Sequence, residues 1–156
     1  MIQNFVCIGV VGIIWVFGGF SLAFGPSIGG FIGDIRTYFG MHGVGVGADP
    51  AYASNVPFIL VFGYQMMFAI ITPALMTGAF VGRMRFAPFM WFVALWTIFV
   101  YLPVAHWIWG GGFLSQLGVV DFAGGIVIHA SAGAIRPRVH KISVAEADAK
   151  NRLSSA

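Results

Sequence analysis

Long apolar runs separated by short polar stretches dominate the pattern along the chain. Apolar residues fill four segments, at about residues 5–24, 56–81, 86–108 and 122–135. Because about 20 apolar residues in a helix cross the hydrocarbon core of a bilayer, the first three segments are long enough to span it. A helix satisfies its own backbone polar groups in lipid, so helices are expected rather than open strands. The pattern therefore predicts an all-α, polytopic membrane protein with four transmembrane helices.

The fourth segment is short, and the composition changes abruptly after it. A helix of fourteen residues is about 21 Å long, whereas the hydrocarbon core is about 30 Å thick. Seven charged residues lie within 136–156, and six lie in all of the preceding chain. One interpretation is a spanning helix cut short, with 136–156 a foreign, disordered tail that makes few contacts with the helices. The other is a genuine half-helix followed by a soluble tail.

The overall charge supports a membrane location and indicates an orientation. Hydrophobic residues make up 59% of the chain and charged residues 8%, whereas soluble domains carry about 25% charged residues. Arg83 and Arg85 lie between the second and third segments, and five more basic residues follow the fourth. Since basic loops stay cytoplasmic, we expect a multi-pass cell-membrane protein whose N-terminus and C-terminal tail are cytoplasmic.

The membrane topology thus accounts for the excess of basic over acidic residues, and no nucleic-acid partner is expected.

The loop over 25–55 is rich in glycine and is expected to be irregular and external, with a short surface helix near 32–38. No nucleotide-binding or nucleophile motif occurs, so no enzyme activity is predicted. A haem bound by His106 and His129 is conceivable, but the two residues lie at different depths, so no cofactor is predicted.

Two polar residues of the fourth segment are candidates for function. His129 lies deep in the predicted membrane region, where ionisable side chains are costly and usually face a cavity or a partner. It could line a narrow pathway, or it could be a packed histidine that bonds a backbone carbonyl. Asp121 precedes the helix and is typical of an N-cap, although it could also attract a cation to the outer mouth.

Three aromatic residues are candidates at the outer side of the second and third helices. Trp109 begins a run of three glycines and could be an interfacial anchor or could bind a cation with its ring face. His106 and Trp107 are interpreted as interfacial residues of the same kind. Tyr64 and Phe68 are four apart, so their rings share a helix face. They could serve as packing or as a gate.

Two stretches together resemble the Amt/MEP/Rh ammonium transporters. They are Pro-Val-Ala-His-Trp-Ile-Trp-Gly-Gly-Gly at 103–112 and Asp-Phe-Ala-Gly-Gly-Ile-Val-Ile-His at 121–129. Stretches 19–25 and 78–86 resemble two further parts of the family in the same order. The resemblance covers about residues 3–135. It implies an eleven-helix fold, assembled as a homotrimer with one pore per subunit, of which this chain would hold helices two to five.

The resemblance also implies roles for single residues. Trp109 resembles the outer-site tryptophan that contacts ammonium, and Asp121 resembles the aspartate that shapes that site. Tyr64 and Phe68 match the stacked aromatic pair that closes the outer mouth. His129 resembles the first of two pore histidines. Gly82 stands where the family often has a glutamate, and Tyr64 where it often has a phenylalanine.

Three hypotheses for function follow. The first is ammonium or ammonia transport, with this chain truncated and inactive alone. The second is a short membrane subunit that associates with or regulates a full-length transporter. The third, a haem-binding redox subunit, would require a Soret band in the absorption spectrum.

Overall fold

A computed structural model describes residues 2–80 and 84–135. Within these residues, three helices are long and apolar enough to cross a membrane: Asn4–Phe24, Phe58–Phe80 and Phe86–Gln116. We call them the first, second and third spans. The high helical content of the chain and these apolar helices confirm the predicted all-α membrane architecture. The predicted tail at 136–156 lies outside the described residues.

The first span contains an irregular turn. The helix Ile2–Ile14 continues through a π-helical turn, Trp15–Gly19, into the short helix Phe20–Phe24. Gly18 has φ 141° and ψ −18° there, a conformation that residues with a Cβ rarely adopt. Trp15 lies at this turn, is fully buried, and donates its indole N–H to the carbonyl of Phe62 at 3.2 Å. The turn therefore fixes the first span against the second.

The second and third spans complete a small bundle. The second span is one continuous helix, Phe58–Phe80, that includes Pro73. The third span comprises Phe86–Trp96, a π-helical turn Thr97–Tyr101 and Leu102–Ile108, with a further short helix Phe113–Gln116 beyond a tight turn. The first span contacts both of the others. Their shared core is aromatic and aliphatic, with Trp15, Phe20, Phe80, Phe89 and Tyr101 fully buried or nearly so.

The connection between the first two spans forms two small hairpins. Strand Ser27–Ile28 pairs with Ile32–Gly33, and strand Ala48–Asp49 pairs with Ala53–Pro57, both antiparallel. The expected surface helix near 32–38 is therefore wrong: this stretch begins as a strand, and a 3₁₀ turn follows at Phe39–Met41. A side chain at Gly33 would collide with the carbonyl oxygen of Ser21, so glycine lets this strand lie against the end of the first span.

Three predicted segment ends need correction. The first helix already includes Ile2, whereas the prediction began it at residue 5. Residues 56–57 belong to a strand rather than to the second helix. The fourth helix begins with a π-helical turn, Gly125–Ala130, rather than at residue 122. Phe122 therefore lies before the helix, and it is 99% exposed. The helix continues as Ser131–Gly133. This fourth helix packs against the second span.

Candidate functional site

The site is built around the turn that ends the third span. Helix Leu102–Ile108 stops at Trp109, whose backbone N–H bonds the carbonyl of Ala105 at 2.8 Å. The N–H groups of Gly110 and Gly112 both donate to the carbonyl of His106, at 3.1 and 2.9 Å. Gly111 has φ 77°, which closes the turn without strain because it has no Cβ. The three glycines therefore present Trp109 at the tip of the span.

Three aromatic rings form a continuous row beside this turn. The ring centroids of Trp109 and Phe68 are 5.7 Å apart, and those of Phe68 and Tyr64 are 4.9 Å apart. Tyr64 and Phe68 meet edge to face, at an interplanar angle of 87°, an arrangement that aromatic quadrupoles favour. Tyr64 is 64% exposed, so the row opens outward from the bundle. The i, i+4 spacing thus gives the shared face that the sequence predicts.

Asp121 connects this row to the fourth helix in two ways. Its main-chain carbonyl accepts the indole N–H of Trp109 at 2.8 Å. Its carboxylate accepts four backbone N–H groups at 2.7–2.9 Å, those of residues 124, 125, 126 and 127. The carboxylate therefore caps the fourth helix, although the N-cap position itself is Gly124 rather than the predicted Asp121. Both carboxylate oxygens are already engaged with the helix N-terminus.

The cap also sets the charge state of Asp121. Burial raises the pKa of this carboxyl, but the bonds from Val127, Ile126 and the two glycines before them outweigh it and lower the pKa below its usual value. A carboxylate at the positive end of a helix is further favoured by the helix dipole. Asp121 is therefore an anion whose negative charge is balanced by the N–H groups it holds.

His129 lies away from the aromatic row, at the interface of the fourth helix with the second span. Its side chain is exposed. It lines a cavity of about 220 Å³ together with Leu75, Met76, Ala79, Ala132 and Gly133. Its backbone N–H bonds the carbonyl of Gly124 at 2.9 Å as part of the π-helical turn. The imidazole thus faces a wall of small and aliphatic residues.

The structure changes the interpretation of His106. The sequence suggests an interfacial residue, but the side chain is fully buried. Its Nδ1 lies 3.0 Å from the carbonyl of Ala23, and its Nε2 lies 2.8 Å from the hydroxyl of Ser27. A haem ligand at His106 would have to break the bond at Nε2 or at Nδ1. The sequence analysis gave this residue an interfacial role, whereas in the structure it contacts the end of the first span and the first hairpin next to the turn at Trp109. Its nearness to Trp109 and the glycine run was the available signal.

The predicted site residues therefore form two groups. Trp109, Phe68, Tyr64 and Asp121 come together at one end of the bundle. His129 is separate from them, beside residues of the second span that lie about two to three helical turns beyond Phe68. An aromatic row, a capped helix and an exposed imidazole in a bundle of apolar spans define the class of helical, polytopic membrane proteins.

Comparison with known proteins assigns the family. The family model of the Ammonium Transporter Family matches residues 1–136. An ammonium transporter of Aquifex aeolicus is 47% identical over 132 residues, covering 84% of this chain and 30% of the relative. One of Bacillus subtilis is 47% identical over the same length, covering 84% of this chain and 32% of the relative. The chain belongs to the ammonium transporter family, as its motifs indicate.

Solved structures agree with the sequence relatives. The crystal structure of Mep2 from Saccharomyces cerevisiae is similar with a TM-score of 0.72 at 42% identity, covering 86% of this chain and 29% of that one. A Candida albicans Mep2 structure gives a TM-score of 0.73 at 40% identity, covering 81% and 28%. The chain thus spans about 30% of the length of the curated relatives it matches first.

Proposed function

We propose that this chain supplies the outer cation-recognition mouth and the first part of the conduction path of an ammonium transporter. The row of Trp109, Phe68 and Tyr64 beside the capped fourth helix is the observation that carries the proposal. An ammonium ion is attracted to the face of an aromatic ring, and tryptophan is the most favourable of the three. The relatives from Aquifex aeolicus and Bacillus subtilis are ammonium transporters, which supports the same substrate.

The geometry suggests how each part acts on the substrate. Ammonium would settle against Trp109, pass the Tyr64–Phe68 pair, and transfer one proton to water, which leaves neutral ammonia. The neutral molecule would then move along His129 and a second imidazole supplied by the rest of the transporter. Asp121 would contribute without touching the cation: by occupying four N–H groups it removes the positive end of the fourth helix from the path.

The experiment is methylammonium uptake in cells lacking their own ammonium transporters. A chimera would carry residues 1–135 of this chain followed by the remaining helices of the Bacillus subtilis relative. Trp109→Leu should raise the KM for methylammonium by about 2- to 30-fold, since a cation–π contact contributes about 0.5–2 kcal/mol. Trp91→Leu is the matched control, because Trp91 lies on the same span and is 70% exposed. An unchanged KM in Trp109→Leu would refute the recognition role.

Orientation and assembly belong to the same proposal. The basic residues Arg83 and Arg85 support a cytoplasmic loop there and an external hairpin loop. In a Cys7→Ala background, an impermeant maleimide applied to intact cells should label Ser54→Cys and spare Met84→Cys; the reverse pattern would refute the orientation.

The homotrimer implied by the resemblance predicts that the chimera has three times the subunit mass in detergent. A monomeric mass would refute it.

A further inference from the structure

We propose that His106 is the positioning residue for Trp109: it ties the turn that presents the indole to the end of the first span and to the first hairpin. The proposal rests on the transport function only in treating Trp109 as the residue that meets the cation. It concerns a side chain one helical turn before Trp109, on the buried side of the same helix.

The side chain of His106 connects three parts of the chain. A carbonyl can only accept, so Nδ1–H donates to Ala23 O at 3.0 Å, at the end of the first span. In the neutral ring Nε2 then accepts the hydroxyl proton of Ser27, at 2.8 Å, in the first strand of the hairpin. These partners are 83 and 79 residues away in sequence. The imidazole is fully buried, so the bond to Ala23 is shielded from water, whereas the bond to the exposed Ser27 is partly buried.

The backbone of the same residue shapes the turn. Its carbonyl accepts the N–H groups of Gly110 and Gly112, which reverses the chain directly after Trp109. A side chain at Gly110 would collide with Ala23 O, and one at Gly112 would come within 2.8 Å of Gly30 O. The turn therefore lies against the first span and the hairpin at the closest distance that a backbone allows. A displaced His106 would shift this contact and the turn with it.

The indole itself makes two further contacts. Trp109 Nε1 bonds Asp121 O at 2.8 Å, and its ring packs against Phe68 at a tilt of 48°. Both of these partners lie on elements other than the third span. Without the bonds of His106, the turn could rotate about these contacts, and the ring face would no longer keep one fixed orientation. His106 thus acts through Trp109 rather than on the substrate.

The test uses the full 156-residue chain in lipid nanodiscs, labelled with 5-fluorotryptophan. The five tryptophans give separate fluorine signals, and Trp109→Phe identifies the one from Trp109. The informative variants are His106→Ala, which removes both bonds, His106→Asn, whose amide can keep the bond to Ala23, and Ser27→Ala, which removes the other. His42→Ala is the matched control, since His42 is exposed in the external loop.

We expect His106→Ala to shift or broaden the Trp109 signal while Trp15 and Trp91 keep their positions. His106→Asn and Ser27→Ala should shift it less, and His42→Ala should leave all five signals in place. An unchanged Trp109 signal in His106→Ala would overturn the proposal. Loss of all five signals together in His106→Ala, His106→Asn and Ser27→Ala would also overturn it, because His106 would then hold the whole fold rather than one residue.

Uptake by the chimera separates this inference from the transport proposal. If His106 acts through Trp109, the double variant His106→Ala/Trp109→Leu should have the same KM as Trp109→Leu alone. Additive increases in KM would contradict positioning. A chimera without uptake, combined with a selective shift of the Trp109 signal, would refute transport and leave the positioning role standing.

Discussion

At the scale of single residues, Asp121 shows how one residue can support two parts of the candidate site. Its carboxylate holds four backbone N–H groups, and its carbonyl holds the Trp109 indole. The fourth helix is short and starts with a π-helical turn, so its N-terminal N–H groups have few other partners. Stability of the fourth helix and orientation of the tryptophan therefore depend on the same residue.

Replacing this carboxylate should destabilise the protein measurably. We expect Asp121→Ala to lower the free energy of unfolding by about 1–3 kcal/mol, since an N-cap contributes about 0.5–2 and charged acceptors more. Asp34→Ala is the control, because the Asp34 carboxylate accepts the single exposed N–H of Arg36 at 2.9 Å. Unfolding by denaturant in mixed micelles, followed by circular dichroism, measures both. Equal losses in the two variants would contradict the capping role.

The same cap predicts a dependence on pH. The folded state lowers the pKa of Asp121, so its stabilisation is fully present above the pKa of the unfolded chain, about 4. As pH falls below that value and then through the lower folded-state pKa, the contribution is lost. The stability difference between the wild type and Asp121→Asn should therefore be constant from pH 7 to 5 and decrease below pH 4. A difference that grows on acidification would show that the sign is wrong.

At the scale of elements, the irregular turn in the first span is the feature that sets the bundle geometry. Gly18 combines φ 141° with close approach to Ile35, whose Cγ1 would lie 3.1 Å from an added Cβ. We expect Gly18→Ala to cost about 1–3 kcal/mol of unfolding free energy, from backbone strain together with this contact. Gly9→Ala, in the regular part of the same span with open space around it, should change stability by no more than about 1 kcal/mol. Equal effects in unfolding measurements would refute the strain argument.

These elements mark how far the sequence could predict the structure. Apolar length predicted four transmembrane helices, whereas three helices of the described residues are long enough to span. Helix Leu102–Ile108 of the third span ends at the residue where the third predicted segment ends. The start of the fourth helix was placed at 122 because apolarity begins there, whereas the Asp121 cap and the φ of 85° at Gly124 delay it to 125. The hairpins were missed because glycine-rich sequence carries little periodicity. Local rules could not pair strands or kink the first span, since both depend on contacts across the bundle.

The site follows the same division. The i, i+4 spacing predicted the Tyr64–Phe68 pair, and the motif around Trp109 predicted the family. The burial of His106 was beyond sequence reasoning, since its partners Ala23 and Ser27 lie about 80 residues earlier. A histidine among tryptophans at a helix end looks interfacial by composition alone. Only the return of the first span and hairpin to that level makes it internal.

At the scale of the whole molecule, the described residues leave wide apolar surfaces around a small core. Exposed side chains on the spans include Phe5, Leu60, Trp91 and Phe99, each at least 59% exposed. Lipid can cover these residues, because a bilayer is as apolar as they are. Lipid is a poor cover for His129 and the cavity beside it, since an ionisable group that faces hydrocarbon is costly. We expect other protein segments to cover that face, and the relatives, which are about three times as long, have such further segments.

The last prediction concerns the chain expressed as the 156-residue polypeptide: it will not take up methylammonium. A selective path must be enclosed, because polar groups exposed to hydrocarbon cost several kcal/mol each. Here Tyr64 is 64% exposed, and His129 lines a cavity walled on one side by the second span.

The test is uptake of labelled methylammonium in transporter-deficient cells, with the chimera as the positive control. Uptake by the 156-residue chain above the empty-vector level, abolished by His129→Ala, would overturn the prediction. Co-purification of an inactive chain with a full-length transporter would instead favour the alternative role of a regulatory membrane subunit. Uptake by the chimera alone would show that enclosure of the His129 face, rather than the outer mouth, is what the shorter polypeptide lacks.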